Sequence, residues 1–257
     1  MMYDPAYFSR LCYEAEVNKV QKTGGINTMG EKRLHQVLKR YYEPDETRHE
    51  QPVGRFIADI LRDEEIIEVQ TGSFFPLKAK IAYYLHQTSY RVTIVHPILQ
   101  KKWVSWIDPE KGSVSKRRCS PKKGRLIEET RELVYLLDYL PTDRLRFIFP
   151  VLEAEDYRLL NGWSRDRKRG STRYTRIPLA LLGEETLAVR ADYAALLPGD
   201  LPNPFTAHDF ASAANLASRP SYAVIKVLCA VGAAEPGEKM GRCQTWQRGK
   251  CSGVNQK

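Results

Sequence analysis

The chain has 257 residues, of which 42% are hydrophobic, a composition that is ordinary for a soluble globular protein of one large or two modest domains. No run approaches about 18 apolar residues, and the start lacks a basic stretch followed by an apolar one, so neither a membrane span nor a secretory signal is expected. Lysine and arginine number 40 against 31 aspartates and glutamates, and the formal net charge of +9 favours a polyanionic partner.

The five cysteines do not follow the pattern of a disulfide framework or a zinc site. No two of them form a C-x-x-C pair, and none has a histidine at the spacing of metal ligands. Because disulfides are rare in reducing compartments, the cytoplasm is the predicted location.

The first elements of the chain are predicted to be an extension followed by an amphipathic helix. Thr23–Gly25 (T-G-G) is predicted to form a joint that ends the helix of the extension, and Met29 is an alternative start. Glu31 lies near the first turn of the helix, either at the edge of its inner face or on the surface. Four residues at helical spacing predict the buried stripe: Leu34, Val37, Leu38 and Tyr41.

Two short apolar runs around a charged turn predict a β-hairpin between Phe56 and Thr71. Asp59 lies at the centre of the first run, and Glu68 and Gln70 lie two apart on the second, so these two share a face. An acid within an apolar strand is costly unless a partner or a cation compensates it, which predicts two acids within reach of one metal ion. The alternative is that both acids face solvent on a half-exposed sheet.

The remaining elements of the first 160 residues alternate between strands and helices. This order predicts an α/β core with a mixed central sheet flanked by helices. The sequence contains neither a G-x-x-x-x-G-K-[ST] loop nor a G-x-G-x-x-G turn, so nucleotide-driven activity is not predicted. The predicted elements are a strand at His49–Val53, a helix from Pro76 with Leu77, Ile81, Tyr84 and Leu85 inside, strands at Tyr90–Ile98 and Val104–Ile107, a helix at Leu126–Leu140, and strands at Arg146–Glu153 and Ala154–Leu160.

An acid on a first helix, an Asp on the second strand, E-x-Q on the third strand and a following helix resemble the PD-(D/E)xK nuclease superfamily. The resemblance covers about residues 29–98 and is nearest to Holliday-junction-resolvase-like and restriction-endonuclease-like members. It implies Asp59 as the metal-binding aspartate, Glu68 as the acid of the (D/E)xK pair and Glu31 as the helix acid. Magnesium or manganese is the implied cofactor.

The chain departs from this family at the position of its lysine, where Gln70 stands. A lysine from the next helix fills that role in some members, which makes Lys78 the candidate, with Lys80 as the weaker choice. The resemblance therefore implies a metal-dependent DNA endonuclease. A DNA-binding regulator that kept the fold without the chemistry is the alternative, and an RNA- or protein-binding adaptor has only the basic charge in its favour.

Positive charge is concentrated in two segments. Between Lys101 and Arg125 nine basic residues face two acids, and between Arg165 and Arg176 six face one. Such segments form either a phosphate-contacting surface or solvated loops. The residues proposed from the second segment to bind nucleic acid are Arg165, Arg167, Lys168 and Arg169.

Residues from about Phe205 to Arg248 resemble a winged helix-turn-helix domain in their layout. Thr206 and Asp209 form a capping box at the first helix, Pro220 opens the second helix, and a two-stranded wing spans 235–246. Phe210, Ala213, Ala214 and Ala217 are predicted to face inward in the first helix and the turn, and Ala223, Val224, Val227 and Leu228 in the second. The second helix of such a domain enters the major groove. The predicted exposed DNA contacts are Arg219, Ser221, Tyr222 and Lys226 on that helix, with Arg242 and Arg248 on the wing.

The predicted division of the chain follows from these elements. DNA is the expected partner, no membrane is expected, and a homodimer is left open. The predicted parts are an extension (1–27), a nuclease-like domain (28–163), a basic linker with a helix over Glu184–Leu197 (164–200), and the winged helix with a disordered tail (201–257).

Overall fold

The structure is a computed structural model that describes residues 3–20, 30–162 and 170–250, with only the backbone described at 16–20 and 30–32. The helices are α1 (Pro5–Val20), α2 (Gly30–Tyr42), α3 (Lys78–Gln87), α4 (Leu126–Glu129), α5 (Arg190–Ala194), α6 (Ala207–Ala213) and α7 (Ser218–Ala230). The strands are β1 (His49–Val53), β2 (Phe56–Arg62), β3 (Glu65–Val69), β4 (Arg91–Val95), β5 (Ile98–Ile107), β6 (Arg118–Cys119), β7 (Leu145–Leu159), β8 (Thr172–Leu187), β9 (Phe205–Thr206), β10 (Ala234–Pro236) and β11 (Thr245–Arg248).

Eight strands form one mixed sheet in the order β1-β2-β3-β4-β7-β5-β6, with β8 also paired to β7. The pairs β1–β2 and β2–β3 are antiparallel, whereas β5 and β7 are parallel. A central mixed sheet with helices is therefore confirmed, and the predicted order of helix, three strands, helix and strand is the order of α2, β1–β3, α3 and β4.

The chain divides into two compact units, each assembled from three stretches of sequence. Unit one consists of Met1–Gly72, Thr93–Arg125 and Ile148–Glu185. Unit two consists of Ser73–Val92, Leu126–Phe147 and Thr186–Lys257.

The core of unit one packs α1 and α2 against the β2–β3 hairpin. The predicted stripe of α2 is buried, and it meets side chains from one face of the hairpin. Tyr42, the last residue of α2, donates a hydrogen bond from its hydroxyl to Glu184 on β8 at 2.7 Å. Burial and the neighbouring carboxylate both raise the pKa of Tyr42, so this hydroxyl stays protonated. The buried residues shared by α2 and the hairpin are Leu34, Val37, Leu38, Tyr41, Ile60, Ile67 and Val69.

Two tight turns set the register of the β1–β2–β3 meander. Val53 pairs with Phe56 across a two-residue turn whose first residue, Gly54, has φ 58°. Arg62 pairs with Glu65 across the second turn, where Asp63 has φ 35°. Two-residue hairpin turns need positive φ values, which glycine adopts freely and aspartate tolerates.

The helix predicted at Leu126–Leu140 takes a tighter form. Only α4 is α-helical, and residues 130–139 form a 3-10 helix with Leu136 at φ −119° and ψ 16°. Leu133 and Leu136 are nevertheless buried, and this segment packs against α7 within unit two. In the same unit the Arg144 guanidinium donates to the carbonyls of Leu85 and Thr88, which lie at the end of α3.

Several predicted strand boundaries are wrong. Tyr90–Ile98 is divided, because β4 ends at Val95 and β5 begins at Ile98, and Pro97 between them cannot donate to a ladder. The strand predicted at Val104–Ile107 is the last part of β5. The predicted strand pair Arg146–Glu153 and Ala154–Leu160 is one continuous strand, β7, which β5 follows from Ile98↔Val151 to Ile107↔Leu159.

The predicted helix Glu184–Leu197 is also wrong. Strand β8 continues to Leu187, and the helix is confined to the five residues of α5. Residues 172–187 include several β-branched and aromatic residues, which fit a pleated surface, and their partner β7 is of similar length.

The last part of unit two contains two helices and a three-stranded sheet in the order β10-β11-β9. The capping box at Thr206 is confirmed, with the Asp209 carboxylate accepting from the Thr206 amide at 2.8 Å. Ala217 is exposed rather than inward, and α7 begins at Ser218, two residues before the predicted opening at Pro220. No helix in the described stretches is long and apolar enough to cross a membrane.

Candidate functional site

Asp59 lies where the β2–β3 ladder ends. The register runs from Arg62↔Glu65 to Ile60↔Ile67, and beyond it the Val69 amide donates to Asp59 Oδ2 at 2.8 Å. The pairing of β2 with β3 thus ends one step before Asp59 and Glu68. The two predicted acids lie on neighbouring strands of one hairpin, just beyond its paired residues.

A histidine from α2 contacts the same carboxylate. His35 Nε2 lies 3.2 Å from Asp59 Oδ2, and the two side chains are 28% and 15% exposed. The sequence offered only one signal for this contact, which is that His35 lies one helical turn after Glu31. The side chain of Glu31 itself lies outside the described residues, so its predicted role stays a prediction.

Glu68 is the second-last residue of β3, and Gln70 directly follows the strand. Glu68 is 1% exposed, so its carboxylate is almost wholly removed from solvent. Gln70 follows the last residue of β3 and is half-buried. Its backbone amide donates to the backbone carbonyl of Val95 at 2.9 Å. The Gln70 carbonyl accepts from Nδ1 of His96 at 2.5 Å, and because a carbonyl only accepts, the proton of this imidazole lies on Nδ1.

The predicted lysine belongs to unit two, whereas Asp59 and Glu68 belong to unit one. Lys78 is the first residue of α3, and its ammonium lies 3.6 Å from the Asp138 carboxylate. This ion pair joins side chains that are 52% and 75% exposed, and exposed pairs contribute only about 0–1 kcal/mol. Lys80, the weaker choice, is half-buried on the same helix.

The basic segment after β5 is an exposed loop that returns to the sheet through β6. Cys119 and Arg118 pair with Trp103 and Val104 on β5. The Arg117 guanidinium lies over the Trp103 ring at 4.1 Å and 3.7 Å from the Glu155 carboxylate. The second basic segment is described only from residue 170, so Arg165, Arg167, Lys168 and Arg169 lie outside the described residues.

The face of α7 that points to solvent carries three of the predicted DNA contacts. Arg219, Tyr222 and Lys226 are exposed, and the Lys226 ammonium lies 5.2 Å from the centre of the Tyr222 ring. Arg242 is exposed on the loop between β10 and β11. Ser221 was wrongly placed in this set, because it is fully buried and its hydroxyl donates to the Ala217 carbonyl at 2.8 Å.

The other predicted wing contact has a local role. The Arg248 guanidinium donates to the Pro198 carbonyl, and the Arg248 amide donates to Asn203. Of the predicted inward residues of α7, Val224, Val227 and Leu228 are buried, whereas Ala223 is half-buried.

Comparisons with known proteins identify a family for the chain but do not indicate an activity. A family model described as a domain of unknown function, DUF8091, matches residues 32–188. An uncharacterized protein of Treponema pallidum (strain Nichols) is 28% identical over 224 residues, which cover 87% of this chain and 87% of that protein. No solved structure matches the chain. The matched residues include Asp59 and Glu68 and end before α5.

Proposed function

The chain belongs to the DUF8091 family, and from its own residues we propose that it is a metal-dependent DNA endonuclease with a PD-(D/E)xK-like core. The observation that carries the proposal is that two acids, Asp59 on β2 and Glu68 on β3, lie on the adjacent strands of a hairpin that follows α2 and precedes α3. The coarse mixed α/β fold is compatible with such a core.

The donor set fits magnesium or manganese. No group of three or more His, Cys, Asp or Glu side chains in the described part of the chain is arranged to hold a metal ion. Magnesium does not need such a cage, because one or two carboxylates with waters and substrate oxygens suffice. Asp59 and Glu68 would hold the ion. When bound, it would lower the pKa of a coordinated water and neutralise charge on the phosphate.

The other residues around the two acids hold Asp59 and the backbone at Gln70 in position. His35 and the Val69 amide both contact Asp59 Oδ2, which restricts the direction of that carboxylate. His96 fixes the backbone at Gln70, whose side-chain amide can orient a water molecule but cannot carry positive charge. The resemblance assigns the stabilising cation to Lys78, and that role stays a prediction.

A second function, a DNA-binding regulator without cleavage, has its own support. Gln70 stands where the PD-(D/E)xK superfamily has its lysine. Glu68 is 1% exposed, and Lys78 already pairs with Asp138. A regulator of this kind would bind DNA through its basic surfaces and would not need a divalent ion between Asp59 and Glu68.

A metal titration combined with a nicking assay separates the two functions. We expect Mg²⁺ to bind the full chain in isothermal titration calorimetry, and supercoiled plasmid to be nicked with Mg²⁺ or Mn²⁺ but not with EDTA. The proposed chemistry requires the ion both for water activation and for charge neutralisation. DNA binding without metal binding or nicking would instead support the regulator.

For the last part of unit two, we propose a winged helix that places α7 on DNA. The order β9, α6, α7, β10 and β11 and the sheet order β10-β11-β9 are the support for this assignment. The face of α7 opposite its buried residues is the exposed stripe of Arg219, Tyr222 and Lys226, with Arg242 on the wing. Such a helix would lie in the major groove while the wing contacts the backbone.

Replacing Arg219 and Lys226 together by Gln is expected to weaken binding to duplex DNA about tenfold at physiological salt, because two phosphate or base contacts are lost. Fluorescence anisotropy with a labelled duplex measures this change. Arg131→Gln, which removes a 46% exposed arginine elsewhere in unit two, is the matched control and should leave affinity unchanged. Equal affinity of the double variant and the wild type would exclude α7 from the interface.

A further inference from the structure

Strands β5 and β7 place cations on one face of the sheet in unit one. In their parallel register Lys102 pairs with Ala154, Val104 with Asp156, and Trp106 with Arg158. Alternate residues of a strand share a face, so Lys102, Asp156 and Arg158 lie on the same side. The opposite side carries Lys101, Trp103 and Ser105 with Glu153 and Glu155. The two sides therefore differ in charge, with two acids on one and a surplus of cations on the other.

Strand β8 adds a third cation to this face. The Arg176 guanidinium donates to both oxygens of Asp156, from Nε at 2.5 Å and from Nη2 at 2.9 Å. The Asp156 side chain is 3% exposed, so Arg176 already neutralises this buried acid. Arg158 is held separately, because its guanidinium donates to the hydroxyl and the carbonyl of Ser171 at 3.0 and 2.8 Å.

Lys102 lies among three other cations and the Asp156 carboxylate. Its side chain is half-buried, and no carboxylate of the residues that the structure describes lies within ion-pair distance of its ammonium. Burial lowers the pKa of Lys102. Among the neighbouring charges the Asp156 carboxylate acts most strongly and raises the pKa, while Arg176, Lys122 and Arg158 lower it. Because Asp156 is already paired with Arg176, Lys102, Lys122 and Arg158 repel one another without a carboxylate of their own among these groups, and a bound anion would relieve this repulsion.

We propose that this face, formed by Lys102, Lys122, Arg158 and Arg176 and called here the cationic face, binds the phosphate backbone of nucleic acid. Lys102 is level with Ala154, four residues before Arg158 on β7, so the two cations are about 13 Å apart along the strands at about 3.3 Å per residue. This separation suits contacts to different phosphates of a polymer.

The neighbouring loop extends the cationic face. The Ser120 amide donates to the Lys102 carbonyl at 2.7 Å, which places the exposed Lys122 and Lys123 beside β5. A row of cations that continues from a strand onto a loop matches a polymer of phosphates rather than a single free anion. The identity of the polymer rests on the proposed function, whereas the cationic face is separate from Asp59 and Glu68.

The test is a metal-free binding measurement on the full chain. A fluorescently labelled duplex of about 20 base pairs is titrated in EDTA at several salt concentrations, with the wild type and with Lys102→Gln and Arg158→Gln. Each variant is expected to bind about fivefold more weakly and to lower the slope of log affinity against log salt by about 1, the value for one phosphate contact. Arg10→Gln, an exposed arginine on α1, is the control and should bind as the wild type does.

The outcomes separate this inference from the proposed function. Wild-type affinity and salt slope in both Lys102→Gln and Arg158→Gln, with unchanged thermal unfolding, would overturn the cationic face even if the protein nicks DNA. Weakened binding in these variants of a protein that never nicks DNA would support the cationic face and count against the nuclease. Inorganic phosphate that binds in a Lys102-dependent manner, while DNA binding is insensitive to Lys102→Gln, would replace the polymer by a free phosphate and overturn the proposal.

Discussion

Replacing Asp59 by Asn, or Glu68 by Gln, is expected to slow Mg²⁺-dependent nicking on the order of 100-fold or more, because each change removes a negative charge that would balance the cation. The replacements keep the size of each side chain. The Asp59→Asn side chain would retain a carbonyl oxygen that can accept from the Val69 amide, the bond that Asp59 makes at 2.8 Å. The measurement is the rate at which supercoiled plasmid becomes nicked, under single-turnover conditions.

The hairpin itself supplies the control. Asp63 lies at the turn of the same hairpin, its side chain is 85% exposed, and its carboxylate is 3.7 Å from the Arg48 guanidinium. Asp63→Asn should therefore cleave at the wild-type rate. Calorimetric Mg²⁺ titration should show weaker binding only in the Asp59 and Glu68 variants. Cleavage at the wild-type rate by both of those variants would remove the two acids from any catalytic role.

Local pattern was sufficient to predict the elements that bear the candidate acids. Val53 and Arg62 each precede a two-residue turn, and the runs beside them have the alternation of half-buried strands, so β1, β2 and β3 are where the pattern places them. The stripe of α2 was equally clear, because its four apolar residues repeat at helical spacing and all are buried.

Strand length was not predictable, because it depends on partners far away in sequence. Nothing within Leu145–Leu159 indicates whether it forms one strand or two, but β5 pairs with it through Leu159 and keeps it extended. The apolar residues of Leu179–Leu187 fit a helix or a strand equally well, and pairing with β7 decides for a strand. Short apolar runs carry no information on this choice.

In the candidate site, too, local sequence was sufficient to predict some residues, whereas others depend on packing between distant segments. Asp59 and Glu68 stand out because they interrupt apolar runs, which is a local signal. The contact of His35 with Asp59 depends on how α2 packs on the hairpin, and the cationic face depends on the register of β5 against β7. The prediction that Ser221 is exposed is wrong for another reason, which is that a short polar side chain can be buried when it bonds to the backbone of its own helix.

Replacing Arg176 by Leu is expected to destabilise the protein by about 3–5 kcal/mol, because it leaves a buried carboxylate without its partner. The Asp156 side chain is 3% exposed and receives two charge-assisted hydrogen bonds from Arg176, at 2.5 and 2.9 Å. Chemical denaturation at neutral pH, followed by far-UV circular dichroism, measures the loss of unfolding free energy.

The cost arises from the unpaired charge rather than from the lost contact, and a second substitution separates these causes. In the double variant Asp156→Leu, Arg176→Leu both charges are absent, and replacing a buried ion pair by apolar residues is often close to neutral. The double variant should therefore recover most of the stability lost in Arg176→Leu. Arg173→Leu, on the exposed side of the same strand, should cost less than about 1 kcal/mol. A double variant as unstable as Arg176→Leu would instead attribute the loss to packing of the arginine side chain, and the Asp156 carboxylate would then have no need of a cation on that face.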